Sequence, residues 1–178
     1  SIPLFSLFCS NPELYPVNLR LGLGLSQLAK VHELYREQLE KALYSDHQLI
    51  LSGEDITSLK TEEIHTLLGH LEQSEREIIP IAAVRQPYSY HCSQLQQQIK
   101  DGTPMTYWHH CPQRERIEKL DSIFGKHISW IDFNASCQHP QGPAAYLMEA
   151  MEINFEKINF TGKNIGRCNE NIRIQNCL

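Results

Sequence analysis

Ile78-Ile-Pro-Ile-Ala-Ala-Val84, followed at once by Arg85-Gln-Pro87, is the stretch that decides the fold. A nearly continuous apolar run predicts a strand buried on both faces of a parallel sheet, because one solvated face would impose alternation. Pro80 lacks the N–H that a ladder requires and weakens the first half of that strand. Pro87 has a fixed φ and suits the first position of a helix. The chain is therefore expected to pass from a strand over 78–84 into a helix over 88–100 that stops at Asp101-Gly102.

Reading outward toward the N-terminus, Leu28, Val31, Leu34, Tyr35, Leu39, Ala42 and Leu43 recur at helical spacing and predict a helix over 25–44. Residues 48–52, Gln-Leu-Ile-Leu-Ser, read as a short buried strand. Thr61 reads as the N-cap of a helix running to about residue 73, with Glu62 and Glu63 in its first turn. Residues 1–24, with Pro3, Pro12, Pro16, Gly22 and Gly24, read as loop. Toward the C-terminus, residues 114–124 read as a helix ending at Gly125, 127–133 as a strand and 144–153 as a helix. The resulting alternation of helices and strands implies an α/β fold, a mostly parallel sheet between two helical layers.

The chain has 178 residues, 41% of them apolar and 21% charged, which allows one domain with a real core. A net charge of −5 argues against general nucleic-acid binding but leaves room for a local cationic pocket. No apolar run is long enough to span a membrane, and Ser1–Cys9 lacks the basic flank of a signal peptide. The six cysteines at 9, 92, 111, 137, 168 and 177 show no CxxC pair and read as reduced thiols, so a cytoplasmic location is expected. Two sequons, at Asn134 and Asn159, would permit glycosylation in a secretory setting. His91-Cys92 and His109-His110-Cys111 contain ligand types for zinc, but adjacent side chains rarely converge on one ion, and no metal is expected. Trp108, His109 and His110 would line an acceptor pocket or face solvent on a long loop.

The chemistry centres on Arg85. Ligands of open α/β sheets bind beyond the carboxyl ends of strands. A guanidinium there, next to a helix N-terminus, makes an anion site whose planar fork matches phosphate oxygens. The alternative is an Arg85 paired with a surface carboxylate. Val84-Arg85-Gln86-Pro87, with Ser93 eight residues after the Arg, resembles the donor-binding motif of the PAPS-dependent sulfotransferases, particularly the bacterial-type branch. The resemblance covers approximately residues 45–135. It implies that Arg85 and Ser93 hold the 3′-phosphate of PAPS. It also implies that Glu54, in Ser52-Gly53-Glu54, is the base that deprotonates an acceptor hydroxyl. Ser52, Glu54 or Asp55 would otherwise cap the next turn. The Gly166-Arg167 pair matches the late basic loop of that family and would add Arg167 to the phosphate site; the other reading is a solvated basic tail.

One family element is missing. The Lys/Arg-Gly-Ser/Thr loop that cradles the 5′-phosphosulfate is not found; Leu21-Gly-Leu-Gly-Leu-Ser26 contains no cation and follows no strand. With no initiator Met at position 1, the expectation is a single α/β domain of a P-loop-type sulfotransferase fold, truncated before its first strand and phosphate loop. The implied activity is sulfuryl transfer from PAPS to a hydroxyl of a carbohydrate or lipid-like acceptor. An inactive binding module of the same ancestry and a P-loop-type phosphotransferase are the alternatives.

Overall fold

The computed structural model describes residues 2–100, 102 and 111–153. The chain divides into two compact units, Ser1–Ile79 with Glu118–Gly125, and Pro80–Ile117 with Lys126–Leu178. It combines many helices with one small parallel sheet, a mixed helix-and-sheet architecture.

The first unit is helical. It contains α1 (Ile2–Phe8), α2 (Pro16–Arg20), α3 (Leu25–Leu43), α4 (Thr61–Glu72) and the C-terminal part of α6 (Gln113–Phe124). Helix α1 packs on α3 and α4. Leu4, Leu28, Leu39, Leu43, Leu59, Ile64, Leu67 and Leu120 form the buried core. The segment read as loop thus holds two helices. Pro16 opens α2 at a first-turn position, where its missing N–H costs nothing, and Pro3 is likewise near the start of α1. Both prolines mark helix starts here rather than breaks. Burial of Leu4 and Ser6 against the longer helices stabilises a seven-residue helix that would not survive alone.

Helix α4 starts as expected, except that Lys60, not Thr61, is the N-cap residue, with no side-chain cap of its own. Its N–H donates instead to Glu63 Oε2 at 2.8 Å. Residues 48–53 form no strand. They have no regular secondary structure and lead to a 3-10 turn at Glu54–Ser58, and Ile50 is exposed. The short apolar run lacks a neighbouring strand to pair with among the described residues, and pairing is what stabilises a strand.

The second unit carries the sheet. β1 (Ile81–Val84) and β2 (Ser129–Asp132) pair in parallel, with Ile81 opposite Ser129 and Val84 opposite Asp132. Pro80 shortens the expected strand from its start, since it has no N–H to give. Its carbonyl still accepts from Ser129 N–H at 3.0 Å. The sheet is not buried on both faces: Ala83 and Trp130 are exposed, while Ile131 is buried. α5 (Pro87–Lys100) follows β1. α7 (Phe133–Ser136) follows β2 directly, and α8 (Pro143–Ala150) packs on α7. Ile99, Ile128, Ile131 and Ala145 supply the buried apolar positions. α6 ends at Gly125, whose φ of 52° is a left-handed turn that glycine enters without strain.

Among the described residues no helix is long and apolar enough to cross a membrane. The described cysteines, Cys9, Cys92, Cys111 and Cys137, are free thiols.

Candidate functional site

Parallel strands end on the same side. Arg85, one residue past β1, and Phe133-Asn134, one and two residues past β2, therefore meet at one edge of the sheet. Arg85 is held on two sides there. Its Nε–H donates to Ser89 Oγ at 3.1 Å, and its guanidinium lies over the Phe133 ring, 5.0 Å from the centroid. This cation–π contact fixes the plane of the fork while the hydrogen bond fixes its rotation. Among the described residues no group accepts from either terminal nitrogen of Arg85. A guanidinium prepared in this way can offer two parallel N–H donors to a tetrahedral oxyanion.

Helix α5 adds to this field. Gln86 O accepts the first helical hydrogen bond, from Tyr90 N–H at 2.9 Å. The amides of Tyr88 and Ser89 therefore lie in the first turn, where no intrahelical acceptor exists and the helix dipole is positive. Asp132, the last residue of β2, turns its Oδ1 to cap α7, accepting from Asn134 N–H at 2.7 Å and Ala135 N–H at 3.3 Å.

Of the residues singled out by sequence, Arg85 and Ser93 belong to this unit. Ser93 is part of α5, half-buried, one turn beyond Ser89 and on the same face. The hydroxyl that touches Arg85 is that of Ser89. Glu54 belongs to the other unit, exposed in the first turn of the 3-10 helix Glu54–Ser58, where its carbonyl accepts from Thr57 Oγ1 at 2.8 Å. Its neighbour Asp55 accepts from Tyr15 Oη at 2.6 Å. Burial first, and then this hydrogen bond to a carboxylate, pushes the Tyr15 phenol well above its ordinary range. Arg167, Trp108, His109 and His110 lie outside the described residues. No group of three His, Cys, Asp or Glu side chains among the described residues could hold a metal ion.

The residues missed from sequence are Ser89, Phe133 and Asn134. Ser89 sits four residues after Arg85, one helical turn. Phe133 ends the strand expected over 127–133, and Asn134 follows it. Aligning the carboxyl ends of the strands expected over 78–84 and 127–133 would have brought all of them together with Arg85.

The first unit holds a second arrangement with the look of a catalytic pair. Ser6 Oγ lies 2.8 Å from His32 Nε2 and accepts from Asn18 Nδ2 at 3.0 Å. A nucleophile has to meet its substrate, and Ser6 is only 1% exposed. Burial, with help from the nearby Arg36 charge, lowers the His32 pKa below its ordinary value and favours the neutral imidazole. The trio is a satisfied polar network inside a helical core. Glu63 plays a similar part. Burial raises its carboxyl, but hydrogen bonds from Ser10 Oγ, Lys60 N–H and Ser10 N–H outweigh that and leave it below the usual carboxylate value. The Cys9 thiol is pushed up, first by burial and then by the charge of Glu63.

The first sequon, at Asn134, falls on a short helix. Asn134 lies in α7 with its side chain on Ser89, and Ser136 is 2% exposed. The sequon at Asn159 lies outside the described residues. Comparison of the chain with protein-family models, with curated proteins and with solved structures finds no match.

Proposed function

We propose that the sheet edge at Arg85 is a phosphate site and that the chain is a sulfotransferase-type domain. In this reading it takes PAPS as donor and a hydroxyl of a carbohydrate or lipid-like molecule as acceptor. The observation that carries it is the orientation of Arg85: Nε bound to Ser89, the plane supported by Phe133, and both terminal nitrogens without a partner among the described residues. A structural arginine would spend those donors on carbonyls or carboxylates. The first-turn amides of α5 supply a second source of positive potential. Ser93 and Arg167 are the further ligands of the 3′-phosphate in this reading.

In the reaction, the acceptor oxygen forms a bond to sulfur as the bond from sulfur to the 5′-phosphate oxygen breaks. 3′,5′-ADP leaves with the electron pair. Glu54 takes the acceptor proton, and Arg85 anchors the donor away from the reacting bond. General-base catalysis of this kind contributes about 10²–10⁴-fold.

A second reading is supported by Leu21-Gly-Leu-Gly-Leu-Ser26. That segment leaves helix α2, not a strand, and carries no cation to stabilise a leaving phosphate. A domain with this segment in place of a phosphate loop would bind the nucleotide without transferring sulfate.

Calorimetry and a transfer assay separate these readings. Tighter binding of 3′,5′-ADP than of 5′-AMP, lost in Arg85→Ala, is the expected result. Sulfate transfer from PAPS that falls about 10²-fold or more in Glu54→Gln identifies the enzyme. Binding without transfer identifies the module. A preference for ATP with magnesium would make the chain a phosphotransferase instead.

A further inference from the structure

We infer that Ser89 and Asn134 are positioning residues for the Arg85 fork, an inference that rests on the phosphate-site reading above. Ser89 Oγ has three partners. It accepts from Arg85 Nε–H at 3.1 Å, lies 3.1 Å from Gln86 O and lies 3.2 Å from the side-chain amide of Asn134. One hydroxyl proton cannot serve both Gln86 O and an amide oxygen of Asn134. Turning the Asn134 amide so that Nδ2 faces Ser89 satisfies every group. The hydroxyl then donates to Gln86 O and accepts two hydrogen bonds, from Arg85 Nε–H and Asn134 Nδ2–H.

This arrangement has a directional consequence. With Nε engaged by Ser89, the edge of the guanidinium carrying Nε faces α5, and the terminal nitrogens carry the remaining donors. Phe133 prevents the plane from tipping toward its side. Asn134 ties the hydroxyl to α7, which is itself fixed to β2 by the Asp132 cap. Arg85 is thereby oriented by groups from the ends of both strands, and its rotamer is set before any anion arrives. Pre-setting of this kind strengthens binding by removing the ordering cost of a long side chain at the moment of association.

The Arg85 Nε–H resonance and nucleotide titrations followed by NMR test the inference in the full chain. In the wild type the Nε–H should exchange slowly with solvent, and 3′,5′-ADP should bind more tightly than 5′-AMP. Ser89→Ala should expose the Nε–H to fast exchange and weaken 3′,5′-ADP binding about tenfold while leaving 5′-AMP binding unchanged. Ser89→Thr, which keeps the hydroxyl, should restore both; Asn134→Ala should give a smaller loss of the same kind. A merely structural role would shift both nucleotides together and would not restore the Nε–H protection selectively. If Ser89→Ala keeps wild-type affinity while Arg85→Ala loses it, the positioning role is wrong and the phosphate site stands. If Arg85→Ala itself binds 3′,5′-ADP as the wild type does, the phosphate site is wrong and the positioning role falls with it.

Discussion

Two cations of the helical unit and Arg85 at the sheet edge are used in opposite ways. In the helical unit, Lys119 Nζ donates to Thr57 O at 2.8 Å and to Leu59 O, and Arg76 donates to the carbonyls of Ser45 and His47. These cations stitch loops to the helical framework by donating to backbone carbonyls. At the sheet edge, Arg85 gives only Nε to the protein and keeps its terminal nitrogens open among the described residues. The difference teaches where to look for function: a charged group satisfied by its own fold is architecture, and one held in place with donors to spare is a candidate for a ligand.

The largest expected effect lies in the helical unit. Leu59 is fully buried. Leu59→Ala should cost about 2–5 kcal/mol of stability, through lost burial and the cavity left behind, as read by urea unfolding. It should leave the residual binding at Arg85 unchanged wherever the chain is folded. Next comes Glu63→Ala, which removes the acceptor of three donors from Ser10 and Lys60. A loss of about 1–3 kcal/mol is expected in the same assay. A near-zero value would mean that water replaces the carboxylate and that the network is less closed than its geometry indicates.

The same two networks set a pH dependence. His32 and Glu63 both have folded-state pKa values below their ordinary ones, so the unfolded chain binds each proton more readily. Their contribution is complete above the ordinary values of 6.5 and 4.5, and is lost as the pH falls through each lower folded value. The urea midpoint should therefore drop first below pH 6.5 and again below pH 4.5. His32→Gln should remove the first drop and keep the second. A midpoint that stays level from neutral pH down through the imidazole range would contradict the half-buried, neutral His32.

Much of this fold is legible in the sequence wherever a long period speaks for itself. The helices at Leu25–Leu43, Thr61–Glu72, Pro87–Lys100 and Gln113–Phe124 begin and end within a residue or two of their expected bounds. Failures came from short segments decided by tertiary contact. The 48–52 run has strand-like residues and no partner strand, while Ile2–Phe8 has a proline and yet is helical because α3 and α4 cover it. At the candidate site, Arg85 was visible as the cation closing an apolar strand. Its actual companions were not, because Ser89 departs from the eight-residue spacing and Phe133 and Asn134 lie 48 and 49 positions away in sequence, joined to Arg85 only by the register of β1 on β2.

The smallest perturbation by mutation is expected at Arg85 itself, when stability is the readout. Because its terminal donors hold no part of the described fold together, Arg85→Ala should shift the unfolding free energy by no more than about 1 kcal/mol, well below the loss at Glu63. The most direct test of the account is a chemical-shift map of the labelled chain titrated with 3′,5′-ADP. The account predicts saturable shifts concentrated at Arg85, the first turns of α5 and the Phe133–Asn134 corner, and their disappearance in Arg85→Ala. Shifts confined to the helical unit, or an unchanged map in Arg85→Ala, would contradict it.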